Sequence, residues 1–283
     1  MRGLVATLGL LSLPPLALAP RKYSKPTEVC RLKAPAITES SGMARSFARR
    51  GEYFTHNDSG DVARFFRFNT KGEITGEYNL KGAAALDWED MAAARLGGQS
   101  SIYLGDIGDN PSKRKTITVY RVKEPTGGSE ILTSYDTYTL TYPDGAHNCE
   151  TLMVHPSTGD LWLVTKVNRG KSGVYALVAP RKSGDYTLRK VGDVEVGSII
   201  PGSQMVTGGD ISPDGRRVAL VTYTAAYEFE VKGKFTDWFR QAATRIPIAT
   251  REQVEAIGYS LDGRTLMTTS EGAQCPVDQM RAQ

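Results

Sequence analysis

Five short segments of this 283-residue chain repeat one pattern: an acidic residue, a short mixed strand, a tight turn and a strongly apolar strand. They read Glu39-Ser40-Ser41-Gly42-Met43, Asp87-Trp88-Glu89-Asp90-Met91, Asn148-Cys149-Glu150-Thr151-Leu152, Gly208-Gly209-Asp210-Ile211-Ser212 and Val254-Glu255-Ala256-Ile257-Gly258. Taking Glu39, Glu89, Glu150, Asp210 and Glu255 as markers, the spacings are 50, 61, 60 and 45 residues. Those lengths fit four-stranded antiparallel blades with loops of varied size.

The local pattern agrees. Strand-like runs occur at Glu52–His56, Ile102–Gly105, Thr116–Val122, Tyr135–Tyr142, Leu161–Lys166, Val174–Val178, Val218–Thr222 and Thr265–Thr269. Turn sequences such as Asn57-Asp58-Ser59-Gly60, Pro143-Asp144-Gly145, Pro213-Asp214-Gly215 and Leu261-Asp262-Gly263 separate them. One amphipathic helix of two turns is expected at Thr236–Ala243. Helices never alternate with strands, which removes parallel α/β folds.

The two ends complete each other. The chain has 28 residues after Glu255 and 19 between residue 20 and the first marker, together 47, within the spacing range. The expected fold is therefore an all-β, five-bladed β-propeller in which a strand around Glu28–Lys33 closes the last blade. Ser129–Tyr142 is the only spare material for a sixth blade, the alternative architecture. Closure puts Cys30 and Cys275 on neighbouring strands, so a disulfide between them would clasp the ring and leave Cys149 as a buried thiol. Three free cysteines are the alternative.

Residues 1–19 have the form of a secretion signal: Arg2, an apolar stretch from Leu4 to Leu16, then Ala17-Leu18-Ala19. The stretch is short for a bilayer, and Pro14-Pro15 breaks it. A single domain over 20–283, exported, secreted or periplasmic and monomeric, is expected. With 35 basic and 31 acidic residues the charge is too balanced for nucleic-acid binding. No other stretch approaches the ~20 apolar residues of a membrane span.

In a propeller each first strand lines the central channel, so the repeat points Glu39, Glu89, Glu150, Asp210 and Glu255 into one volume. Two carboxylates ~6 Å apart repel by ~3 kcal/mol at an effective dielectric near 20. Protons, basic side chains or a cation must neutralise such a ring. Nearby Ser40, Asn148 and Thr151 add hard oxygen donors, and only His56, His147 and His155 supply imidazole, so Ca²⁺ is the expected cofactor. At the ends of the next strands stand Asn57, Asp58, Asp106, Asp109, Asn110, Lys166, Arg169, Tyr223 and Glu271. Asp58 and Asp106 are the candidate acid–base residues. Lys166 and Arg169 are the candidates for holding a small anionic substrate. Asx turns at strand ends are the competing reading for each of these.

The strings Thr55-His56-Asn57-Asp58-Ser59-Gly60-Asp61, Asp87-Trp88-Glu89-Asp90 and Gly105-Asp106-Ile107-Gly108-Asp109-Asn110 resemble a widespread group of secreted bacterial β-propellers with no settled activity. Pro213-Asp214-Gly215 is similar to turns of TolB-like propellers. The five acidic or hydroxyl positions are also similar to those of the calcium-activated nucleotidase (apyrase) family, five-bladed propellers that hold Ca²⁺ and hydrolyse nucleoside di- and triphosphates. That resemblance implies a metal ring at Ser40 or Glu39, Glu89, Glu150, Asp210 and Glu255, with Lys166 and Arg169 as its basic residues. The functions to be tested are thus three. They are metal-dependent hydrolysis of a phosphoester or phosphoanhydride, lactone or sugar-ester hydrolysis, and a non-catalytic module with a structural metal that binds a cell-envelope ligand.

Overall fold

Each of the five repeats folds into its own antiparallel sheet, and the five sheets form one ring. The computed structural model describes residues 21–180, 182–197, 200, 203–272 and 274–283, so the expected signal at 1–19 lies outside the described residues. After the edge strand β1 (Thr27–Arg31), the first blade is β2 (Ser40–Arg45), β3 (Glu52–Asn57), β4 (Arg64–Asn69) and β5 (Ile74–Leu80). The second blade starts with β6 (Trp88–Leu96), β7 (Gln99–Asp106) and β8 (Ile117–Lys123). Next, β9 (Glu130–Leu132) leaves to pair in parallel with β5, and β10 (Asp136–Thr141) returns to β8.

The third blade repeats this excursion. It holds β11 (Cys149–Val154), β12 (Leu161–Thr165) and β13 (Ser172–Leu177), lends β14 (Gly184–Thr187) in parallel to β10, and ends with β15 (Arg189–Val194). The fourth blade is β16 (Val206–Ile211), β17 (Arg217–Thr222), β18 (Ala226–Glu230) and β19 (Ala243–Ile246). The fifth is β20 (Val254–Tyr259), β21 (Thr265–Ser270) and β22 (Pro276–Arg281), with β1 as its outer strand. Thr27 faces Gln279 and Arg31 faces Pro276, so the N-terminal strand does close the ring. The material considered for a sixth blade is instead β9 and β10. Lending a strand to the preceding blade covers two sheet edges that would otherwise offer unpaired backbone.

The strand sequences explain the layering. Inner strands are buried on both faces and mix apolar with small residues, whereas the outer strand β5 alternates, burying Gly76, Tyr78 and Leu80. Apolar clusters fill the gaps between consecutive blades, including the one across the closure, where Met43 and Phe66 meet Met267 and Val277. Among the described residues no helix is long and apolar enough to cross a membrane.

Two expectations are corrected. The helix at Thr236–Ala243 is a single 3₁₀ segment, Phe235–Arg240, and Ala243 already begins β19. Its consecutive aromatics Trp238 and Phe239 are both buried, and Phe239 lies where Gly192 of the third blade leaves no room for a Cβ. Burying neighbours in sequence demands a tight turn rather than one apolar helical stripe.

The cysteines form no disulfide: Cys30, Cys149 and Cys275 are all free thiols. Cys30 faces Val277 in the ladder, two positions from Cys275. The Cys275 thiol instead approaches the carbonyls of Gly272 and Ile37, and that of Cys30 the Asn69 carbonyl. Closure rests on the β1–β22 ladder and on side chains. The Tyr23 hydroxyl donates to buried Glu228 at 2.6 Å, and Arg251 bridges Glu28 and Asp278.

Candidate cation site at the channel mouth

All five inner strands carry a bulge at the same place, next to the channel mouth. The register slips between Ser40 and Gly42, Trp88 and Asp90, Cys149 and Leu152, Val206 and Gly208, and Val254 and Ala256. A bulge re-aims the extra residue's side chain. The residues so presented are Ser41, Glu89, Glu150, Thr207 and Glu255, all buried. The structural ring is therefore three glutamates and two hydroxyl residues, not five carboxylates.

Two expected members stand elsewhere. Glu39 precedes Ser41 by two residues on an exposed rim loop, where its amide bonds Asn57 Oδ1 and its carbonyl accepts from the Asp58 amide. Asp210 lies three residues below Thr207, deep in the ring. Its carboxylate meets Arg45 of the first blade at 2.5 Å and accepts from the Tyr259 and Ile211 amides. It is a structural ion-pair partner, not a ring ligand. The neighbouring Asp90 carboxylate, fully buried, accepts from the amides of Met91, Leu152 and Gly209. Asp90 to Gly209 and Arg45 to Asp210 each join non-adjacent blades. Side chains thus meet across the channel below the ring, and the space above them at the mouth is termed the cup.

Asp58, Asp87 and Glu89 gather at one side of that cup, each with a carboxylate oxygen within 4.8 Å of the others. Asp58 follows the end of β3, and Asp87 and Glu89 flank Trp88 at the start of β6. Glu89 is buried and the two aspartates are half-exposed, so the group is open on its outer side. Gly108 supplies the opposite wall through backbone alone. Its amide donates to the Asp87 carbonyl, and a Cβ there would lie under 3.0 Å from both Asp87 Oδ2 and Glu89 Oε1. Burial, then the Asp58 carboxylate, pushes the Asp87 carboxyl up to about 6. Burial, then Glu150 and Asp58, holds the Glu89 carboxyl well above the usual range.

The other two glutamates differ from each other. Lys166 Nζ lies 2.6 Å from both carboxylate oxygens of Glu150 and 2.8 Å from the Tyr223 hydroxyl. Burial nevertheless pushes Glu150 up to about 7, against the pull of Lys166. The ammonium itself is lowered by burial and more than restored by Glu150, ending above its ordinary value. Among the described residues Glu255 has no ammonium in hydrogen-bond reach. Burial first, then Glu150, raises its carboxyl to about 9. Glu271, half-buried beside it, is raised by burial and by Asp58 and Glu39.

The rest of the expected set closes turns. Asp106 accepts from the Leu86 and Asp87 amides and is bridged by Arg114 at 2.8 Å, so it offers no free carboxylate for acid–base work. Asn57 Oδ1 takes the Thr38 and Glu39 amides, and its amide group donates to Ala36 O and Asp61. Asp109 accepts from the Arg114 amide, while Asn110 and the Asp109 amide both bond Asn148, tying the second blade to the third. Arg169 is exposed on the loop after β12. Of the two expected anion-holding cations, Lys166 is thus committed to Glu150 and Tyr223, and Arg169 stands on the surface.

Asp87, Gly108 and the bulge hydroxyls Ser41 and Thr207 were not predicted as site residues. A bulge has no local sequence signature, and Asp87, though in the repeat segment, precedes β6 and is not the residue that recurs from blade to blade.

Compared with known protein families and with curated proteins, the chain matches none. Solved structures that resemble it include "Structure of U3-55K", at 10% identity and a TM-score of 0.42 over 86% of this chain and 67% of that one. Another is "Crystal structure of RRP9 WD40 repeats", at 9% identity and a TM-score of 0.44 over 86% and 80%. The assignment as a five-bladed propeller rests on the sheet topology itself.

Proposed function

We propose that the protein is an exported propeller whose channel mouth binds a divalent cation, Ca²⁺, and presents it to a ligand entering the cup. The observation that carries this is the convergence of Asp58, Asp87 and Glu89 within 4.8 Å, buried on one side and open on the other. Carboxylates held this close need a counter-charge, and an all-oxygen set suits a hard cation. The Gly108 cradle supports the fit, since any side chain there would fill the space the carboxylate oxygens share.

The reaction such a site serves best is hydrolysis of an ester or lactone. A bound Ca²⁺ would polarise the scissile carbonyl or phosphoryl oxygen. Asp58, Asp87 and Glu89 hold the cation, with an open outer side for the substrate. Glu150, kept near neutrality between burial and Lys166, is the group best placed to take and return a proton, rather than Asp58 or Asp106. Lys166 and Tyr223 orient Glu150. Because Lys166 is already paired and the remaining mouth groups are acidic, a neutral carboxylic ester or lactone suits the cup better than a polyphosphate.

A second reading, a calcium-dependent binding module without turnover, is favoured by the commitment of Asp106, Asp109 and Asn57 to backbone turns. Thermal unfolding in EDTA and in Ca²⁺, Mg²⁺ or Mn²⁺ tests the cation. A hundredfold excess over Kd stabilises by about 2.7 kcal/mol. Hydrolysis of p-nitrophenyl acetate against p-nitrophenyl phosphate, with and without EDTA, then separates the readings. A Ca²⁺-dependent rate on the acetate alone is the expected result; stabilisation without turnover on either ester selects the binding module. No stabilisation by any cation overturns the proposal.

A further inference from the structure

The cup has a second side, between the first and fifth blades, that the cation does not use. The bulges of β2 and β20 present Ser41 and Glu255 there, at positions equivalent to Glu89. Both residues are more than nine-tenths buried, and neither Ser41 Oγ nor Glu255 Oε2 has a hydrogen-bond partner among the described residues. Buried polar atoms are rarely left unmatched, and each such atom costs free energy until a ligand or water satisfies it. Glu271 stands at the outer edge of the same side, within side-chain hydrogen-bond reach of Glu255, which leaves Glu255 Oε2 free. The ladder beneath is firmly fixed, with Ser40 Oγ bonded to both Thr55 and Thr269.

The neighbouring position in the ring shows what such a side accepts. Lys166 brings the chain's own ammonium against Glu150, the Tyr223 hydroxyl and the Tyr223 ring, whose centroid is 5.1 Å away. One glutamate of the ring is thus hydrogen-bonded to an ammonium from within the protein, whereas its counterpart Glu255 feels that ammonium only at a distance and keeps Oε2 unmatched.

We infer that Ser41, Glu255 and Glu271 form a subsite for a primary ammonium group, so that the ligand shown to the cation is an amine-bearing molecule rather than an anion. A carboxylate pair with a hydroxyl accepts all three protons of an ammonium, and charge-assisted bonds of this kind are the strong ones. Among the described residues, an anionic ligand finds no free basic group on this side. The inference rests on the proposed cation site for the other end of the ligand, but the ammonium subsite uses none of its residues.

The test is calorimetric titration of the full chain with 1,4-diaminobutane, once in saturating Ca²⁺ and once in EDTA. 1,4-Butanediol and inorganic pyrophosphate serve as controls. The diamine is expected to bind under both conditions and to exceed both controls. Glu255→Gln and Ser41→Ala should each weaken it about tenfold while leaving the Ca²⁺ titration unchanged. Glu271→Gln, at a half-exposed position, should weaken it severalfold and provides a reading if a buried variant does not fold. Diamine affinity unaffected by these substitutions, tighter binding of pyrophosphate, or one-for-one competition between diamine and Ca²⁺ overturns the inference. Loss of the Ca²⁺ response with diamine binding intact would overturn the cation site alone.

Discussion

Asp210 and Glu89 occupy matching places in the sequence repeat, yet the structure gives them opposite roles, and substitution should separate them. Asp210→Ala leaves Arg45 buried without its partner. The side chains of that pair are 7% and 2% exposed, and breaking a buried pair costs about 3–5 kcal/mol. For a domain of this size each kcal/mol moves Tm by about 2–4 °C, so the metal-free variant should melt roughly 6–20 °C lower. Its Ca²⁺-induced rise should be unchanged. Glu89→Gln should behave in the reverse way. At 4.8 Å or less from Asp58 and Asp87, each ionised pair repels by about 3 kcal/mol or more at an effective dielectric of 20. Glu89 escapes much of that by holding its proton, so the likewise neutral glutamine should leave the metal-free protein at least as stable as the parent. The Ca²⁺-induced rise should vanish. Differential scanning calorimetry in EDTA and in excess Ca²⁺ reads both numbers. A second substitution, Arg45→Met in the Asp210→Ala background, should recover part of the lost stability. If Asp210→Ala removes the Ca²⁺ response and leaves metal-free stability intact, the register assignment of the ring is wrong.

Further outcomes follow from the same geometry. Gly108→Ala should weaken Ca²⁺ at least tenfold by forcing Asp87 and Glu89 apart, measured by calorimetric titration, with the fold retained because the loop backbone does not need a positive φ there. Because Asp87 is raised to about 6 and Glu255 to about 9, the native state holds more protons than the unfolded chain between pH 4 and 9. Metal-free stability should therefore fall as pH rises through that window, and Ca²⁺ should flatten the slope; a stability that rises with pH in EDTA would contradict the raised values. The three cysteines should react with a thiol reagent in guanidinium and much more slowly in the native state, since burial raises Cys30 to about 11 and Cys149 to about 12. Adding a reductant should leave Tm unchanged.

The ring was legible because its cause is periodic. Five inner strands must each bury both faces beside a channel, and that demand writes the same short pattern at Met43, Met91, Leu152 and Ile257, with Ile211 two residues further along its strand, regardless of loop length. Closure was legible for a similar reason: the residues left at the two ends amount to one blade. What the pattern hides is anything decided by a slip of one residue. The bulges turn Ser41 and Thr207 into the mouth and send Asp210 down to Arg45, and a strand's side-chain alternation makes such a slip change the chemistry of a position entirely. The fate of each mouth carboxylate then depends on partners far away in sequence. Glu150 is matched by Lys166 just past the next strand of its own blade and Asp106 by Arg114 from the following loop, whereas Glu255 lies beside another carboxylate, Glu271, with its Oε2 unmatched. Three glutamates with one place in the repeat thus end in three settings: Glu89 among the carboxylates of Asp58 and Asp87, Glu150 against an ammonium, and Glu255 beside Glu271 with Oε2 unmatched. That division, rather than a uniform ring of five carboxylates, gives the mouth two chemically different sides.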